Sequence, residues 1–119
     1  QYVDVICPMY YPSHFPASFY PGEYLERAGF IYQEGSFRAN AMTAGESIIR
    51  PYVQAFLLTG RELRMTKPVY SEYLLKQVTG TLASPASGFT LWNNSNRYYM
   101  VTKSLTEHLE AANKNYHIR

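Results

Sequence analysis

Apolar and polar side chains alternate at the amino end of the chain: Val3, Val5 and Cys7 fall on one side and Tyr2, Asp4 and Ile6 on the other. A period of two that stops at Pro8 predicts a short strand. Residues 8–22 then carry Pro8, Pro12, Pro16 and Pro21 interleaved with Tyr10, Tyr11, His14, Phe15, Phe19 and Tyr20. Proline at that spacing excludes a helix or a central strand, so the segment is expected to be an extended, partly polyproline-like arm. It should be poorly ordered until its rings find a surface. Residues 23–29 suit a helical turn ending at Gly29, and residues 30–33 a short strand.

Thr43 and Glu46 stand at the spacing of a capping box, and Ile48, Ile49, Tyr52, Val53, Phe56 and Leu57 recur on one helical face. A helix is therefore predicted that kinks or starts at Pro51, since proline inside a helix costs about 3 kcal/mol, and that runs to Gly60. Residues 66–77 fit a helix through Val69, Tyr73 and Leu74, while 73–82 also fit a strand. Residues 83–96 are a loop by composition. Residues 97–101 are aromatic and branched, which predicts a strand. Ser104 and Glu107 form a second capping box, with Leu105, Leu109 and Ala112 along the helix that follows and Asn113 or Asn115 at its end. Residues 116–118 return as a strand.

These elements define an α+β fold: a small carboxyl-terminal strand-loop-strand-helix-strand module, preceded by the extended proline and aromatic arm and one or two helices. The expected division is an extension over residues 1–72 and the module over 73–119, within a chain of 119 residues that is one domain's worth of sequence. No apolar run is long enough to span a membrane.

Charge divides the chain unevenly. Residues 1–49 hold two basic and five acidic side chains, and residues 50–119 hold nine basic and four acidic. The carboxyl-terminal part thus suits an acidic protein surface, with too sparse a basic patch for duplex DNA. Twelve tyrosines offer contact area with a polar tip, which suits a surface where proteins meet and equally a core lined by half or more of them. Cys7 is the one cysteine, so no internal disulfide or multi-cysteine zinc site is expected. The histidines His14, His108 and His117 are far apart, with no acidic partner at ligand spacing. No phosphate-binding glycine loop or nucleophile elbow occurs. Catalysis and a bound metal or cofactor are accordingly not expected.

Over residues 73–118 the order of elements resembles the CpcD-like domain of phycobilisome linker polypeptides. The residues that carry it are Val78, Thr79 and Gly80, then Ser95, Asn96, Arg97, Tyr99 and Val101, then Leu105, Thr106, Leu109 and Ala112, and finally 115–118. The chain departs from the family at Thr102 and Lys103, where a proline and an aromatic are usual, and at Lys114 and Asn115, where glycines are usual. The resemblance implies a non-catalytic protein, at the stromal or cytoplasmic surface of the thylakoid, that binds phycobiliprotein hexamers and organises light harvesting. Its partner-binding residues would be Tyr10, Tyr11, Phe15, Phe19 and Tyr20 on the arm and Arg97, Tyr98, Tyr99, Lys103, Lys114 and Arg119 on the module. Bilin attachment at Cys7 is not expected. Two other readings are a single-stranded RNA-binding module using Tyr98 and Tyr99, and an accessory subunit of another large complex.

Overall fold

Two successive strand-helix-strand crossings make up the framework. The computed structural model describes residues 4–16, 22–57, 60–93, 97 and 100–117. In chain order these give β1 (Val5–Ile6), a 3-10 turn (Pro12–His14), α1 (Tyr24–Met42), β2 (Ile48–Ile49), β3 (Tyr52–Gln54), α2 (Gly60–Leu63), α3 (Lys67–Leu82), β4 (Thr90–Trp92) and α4 (Lys103–His117). The chain is thus a small α+β domain of helices and short strands.

All the described pairing is parallel. Val5 and Ile6 pair with Ile48 and Ile49, and Tyr52, Val53 and Gln54 pair with Thr90, Leu91 and Trp92. Met9 bridges Tyr52, so β2 and β3 act as one central strand between β1 and β4. Residues 48–57, expected to be helical, therefore hold two strands, Ile48–Ile49 and Tyr52–Gln54, and no helix. A strand buried in a parallel sheet reads as a continuous apolar run, and such a run offers helical spacing by accident.

Pro51 is accommodated by its orientation within that strand. Ile48, Arg50 and Tyr52 donate their backbone N–H groups to Asp4, Ile6 and Pro8, whereas Ile49 and Pro51 lend their carbonyls to Ser87 and Thr90 on the other side. The nitrogen of Pro51 points toward the β4 side but ahead of the first paired residue there, Thr90. The missing donor costs no ladder bond.

Both long helices cover one face of the sheet. On α1, Ala28, Ile31 and Tyr32 are buried, and on α3 Tyr73, Leu74, Gln77, Val78 and Thr81 are buried. The two segments expected at 23–29 and 30–33 are one helix, α1, and the strand expected at 73–82 is the body of α3. The helices run side by side in the same direction: Lys76 pairs with Glu26 at 2.8 Å and Gln33 Nε2 donates to the Ala83 carbonyl at 3.2 Å. Between these contacts Gly29 faces Gly80, and a methyl group at Gly80 would fall on the Gly29 carbonyl. Gly80 is a helix-crossing residue and not the end of a strand.

Thr43 ends a helix instead of starting one. Its hydroxyl donates to the Ala39 and Asn40 carbonyls, and the chain turns through left-handed Ala44 and Gly45, whose N–H returns to Asn40. At α4 the cap is Thr102, whose hydroxyl accepts the Leu105 N–H at 3.3 Å, in place of Ser104. Helix α4 continues to His117, where a strand was expected, and Arg97 and Met100 lie outside any strand. The strand-loop-strand-helix-strand order is consequently not formed. Ala28, Tyr32, Val53, Ala55, Tyr73, Leu74, Val78, Met100 and Leu105 make the core. The other face of the sheet is bare among the described residues and leaves Val5, Met9, Ile48 and Trp92 exposed.

Candidate functional site

The loops that follow β1, β3 and β4 gather at one end of the sheet, and most of the buried polar side chains lie there. Gln54, the last residue of β3, is at the centre. Its backbone N–H donates to Gln77 Oε1 at 2.7 Å, and its carbonyl accepts from Gln77 Nε2 at 3.0 Å. A side chain of α3 thus completes the strand end as a neighbouring strand would. The Gln54 side chain looks both ways. Its Nε2 donates to the Phe56 carbonyl at 2.8 Å and to Glu62 at 3.1 Å, and its Oε1 accepts from Ser13 Oγ at 3.0 Å and Ser13 N at 3.3 Å.

Glu62 sits on the single turn of α2 and is 0% exposed. Tyr24 Oη donates to its Oε2 at 2.6 Å and Tyr73 Oη at 2.5 Å. Short O–H···O bonds to a carboxylate are among the stronger hydrogen bonds, and here they tie the head of α1 and the second turn of α3 to one group. Burial and the Glu62 carboxylate raise the Tyr73 phenol far above its usual value. Tyr73 therefore stays a donor. The carboxylate is closed off from solvent, so it braces the loops and presents no oxygen to a ligand.

Two more clasps finish this end. Asn93 Nδ2 donates to the Ala55 carbonyl at 2.6 Å and the Arg97 carbonyl at 2.7 Å, while its Oδ1 accepts from Arg97 N at 2.9 Å. Tyr11 packs edge-on against Phe56 with ring centroids 5.4 Å apart, and exposed His14 lies 5.5 Å from Tyr11. On the bare face, Trp92 is 46% exposed and stands edge-on to Tyr52 at 6.3 Å.

The family whose profile matches residues 1–98 is described as a putative glycosyl hydrolase domain. The chain belongs to this family. No curated protein and no solved structure matches it.

This match overturns the likeness to phycobilisome linkers, and with it the light-harvesting role and the expectation of a protein without enzymatic character. The RNA-binding and accessory-subunit readings gain no support either. The linker likeness rested on a capped helix between strands, an arrangement common to many folds.

The structure also places the residues singled out as contacts. Tyr11 is buried at 5% exposure, and Tyr10 is half-buried with its hydroxyl donating to the Gly35 carbonyl at 2.9 Å. These two belong to the domain's own packing. Phe15 is half-buried, Arg97 is exposed, and Lys103 pairs with Glu107 at 3.8 Å on the surface. Lys114 lies in α4, and Phe19, Tyr20, Tyr98, Tyr99 and Arg119 fall outside the described residues. Cys7 is exposed on the bare face. Among the described residues no group of histidine, cysteine and acidic side chains is placed to hold a metal, and no helix is long and apolar enough to cross a membrane.

Sequence reasoning missed Gln54, Glu62 and Gln77. Most of their partners lie eight to forty-one residues away along the chain, so no local spacing announced them. The one local signal was a polar Gln54 inside the apolar run Tyr52 to Leu57.

Proposed function

We propose that the chain serves a glycosyl hydrolase by holding a glycan over the carboxyl-terminal ends of its parallel strands. The observation that carries this is the family match over residues 1–98, which spans β1, α1, β3, α3 and β4. Strand order in space follows strand order in sequence, with α1 and α3 packed together on one face. That is the arrangement of (β/α) barrels, whose active sites lie at the carboxyl ends of the strands.

The side chains at that end suit a sugar. On the bare face next to it, Trp92 beside Tyr52 offers an aromatic surface against which the C–H face of a pyranose ring packs, while Ser13, His14 and Arg97 offer hydrogen-bonding groups on the loops of that end. Hydrolysis calls for two carboxyl groups on opposite sides of the glycosidic bond. The loops after the strands carry two acids, Glu23 and Glu62; Glu62 is closed off and Glu23 is exposed just ahead of α1. Of these two, Glu23 is the acid within reach of solvent.

Titration of the folded chain with linear oligosaccharides, followed by Trp92 fluorescence, tests the reading. A saturable change that Trp92→Ala abolishes is expected in binding measured by calorimetry. Absence of binding to cello-, malto-, xylo- and chito-oligosaccharides alike would remove it.

A further inference from the structure

Glu62 is the most completely enclosed charged side chain described, and direct contact with a ligand does not account for it. Its carboxylate is held by Tyr24, Tyr73 and Gln54, and Gln54 passes the constraint on, because the amide group that donates to Glu62 through Nε2 accepts Ser13 through Oε1. A primary amide has a fixed sense: once its nitrogen is committed to a carboxylate, its oxygen must face the other way. That oxygen meets the backbone N–H and the hydroxyl of Ser13 in the 3-10 turn between β1 and α1.

We infer that Glu62 is a positioning residue that acts through Gln54 to fix the Ser13–His14 turn in its ligand-ready geometry. The inference builds on the glycan-binding reading for its purpose, although the relay itself stands on geometry alone. Glu62 lies on the loop after β3 and Ser13 on the loop after β1, so the relay locks the loops of two neighbouring strands at the proposed site. With an amide in place of the carboxylate, Gln54 could rotate and turn its nitrogen toward Ser13, where two donors would face each other. The turn would then lose its anchor while the helices kept theirs. A supporting shell of this kind typically sets affinity without touching the ligand.

Amide hydrogen exchange of the whole chain reads the relay directly. Glu62→Gln should speed exchange at the Ser13 N–H roughly ten-fold, the loss of one hydrogen bond, while the amides of Tyr32 in α1 and Leu74 in α3 keep their rates. Gln54→Met cuts the relay and leaves Glu62 with both tyrosines; it should do the same and serves as the test if Glu62→Gln does not fold. The exchanged pair Gln54→Glu with Glu62→Gln restores an acceptor toward Ser13 and should recover protection. Unchanged Ser13 exchange in both single variants, or acceleration shared by Tyr32 and Leu74, overturns the inference. Oligosaccharide affinity should fall roughly three- to ten-fold in the same single variants. If the wild-type chain binds none of the oligosaccharides, the glycan reading fails while the Ser13 exchange still decides the relay.

Discussion

The seam between α1 and α3 and the cluster around Glu62 join the same two helices by opposite means. At the seam there is no side chain at all where Gly29 meets Gly80, and the backbones touch. Around Glu62, one to two turns away, the helices are joined through Tyr24, Tyr73 and a shared carboxylate. The first contact is set by shape and tolerates no added atom. The second is set by donors and acceptors and tolerates changes of shape better than changes of chemistry. A domain with strands of two and three residues needs both, because its sheet ladder is too short to fix the helices by itself.

The comparison breaks most visibly at Gly80. Gly80→Ala drives a methyl group into the Gly29 carbonyl, a backbone atom that cannot step aside, and should cost about 3 kcal/mol or prevent folding. Urea denaturation of the purified variant measures it, and a loss below about 1 kcal/mol would show that the helices can slide apart. Next in size is Glu62→Ala, which leaves two tyrosine hydroxyls and the Gln54 amide short of an acceptor in a buried space. Unmet buried donors put its cost at roughly 2 to 3 kcal/mol in the same assay.

Alkaline pH sharpens the contrast, because the glycine contact carries no titrating group and the polar cluster does. The Tyr73 phenol is raised in the folded chain above the ordinary 10.0, and Tyr32 is raised well above it by burial. The folded chain therefore keeps protons that the unfolded chain gives up. Stability should be complete below pH 10 and fall as pH rises beyond it, with a shallower fall in Tyr73→Phe; thermal melts between pH 8 and about 11.5 report this. Glu26→Gln should have the smallest effect. It removes the Lys76 ion pair, whose glutamate is largely exposed, and should leave the melting midpoint where it was.

Legibility in the sequence followed the reach of each interaction. The α4 helix could be read because Leu105 and Leu109 repeat locally, and a strand near the amino end because Val5 and Cys7 alternate. Helix α1 was obscured by Gly29, which reads as a break although it is there for a neighbour about fifty residues on. Helix α3 was half-visible, since Tyr73, Leu74 and Val78 serve a helix and a strand equally well. The polar cluster was illegible for the same reason as the glycine contact: Glu62 means nothing in sequence until Tyr24, Gln54 and Tyr73 have been brought around it. The chemistry at the strand ends thus comes from topology, and local pattern reports only the elements that lead there.

Pro51 has a consequence for alternative pairings. Short parallel strands with apolar side chains on both faces invite slippage by two residues, which keeps every side chain on its own face. A slip of β4 toward the amino end of the central strand would set a β4 carbonyl opposite the nitrogen of Pro51, which has no proton to offer. Of the registers open to β4, the ring thus disfavours the slipped one and leaves the native one untouched. A residue that donates nothing to the ladder serves as its stop.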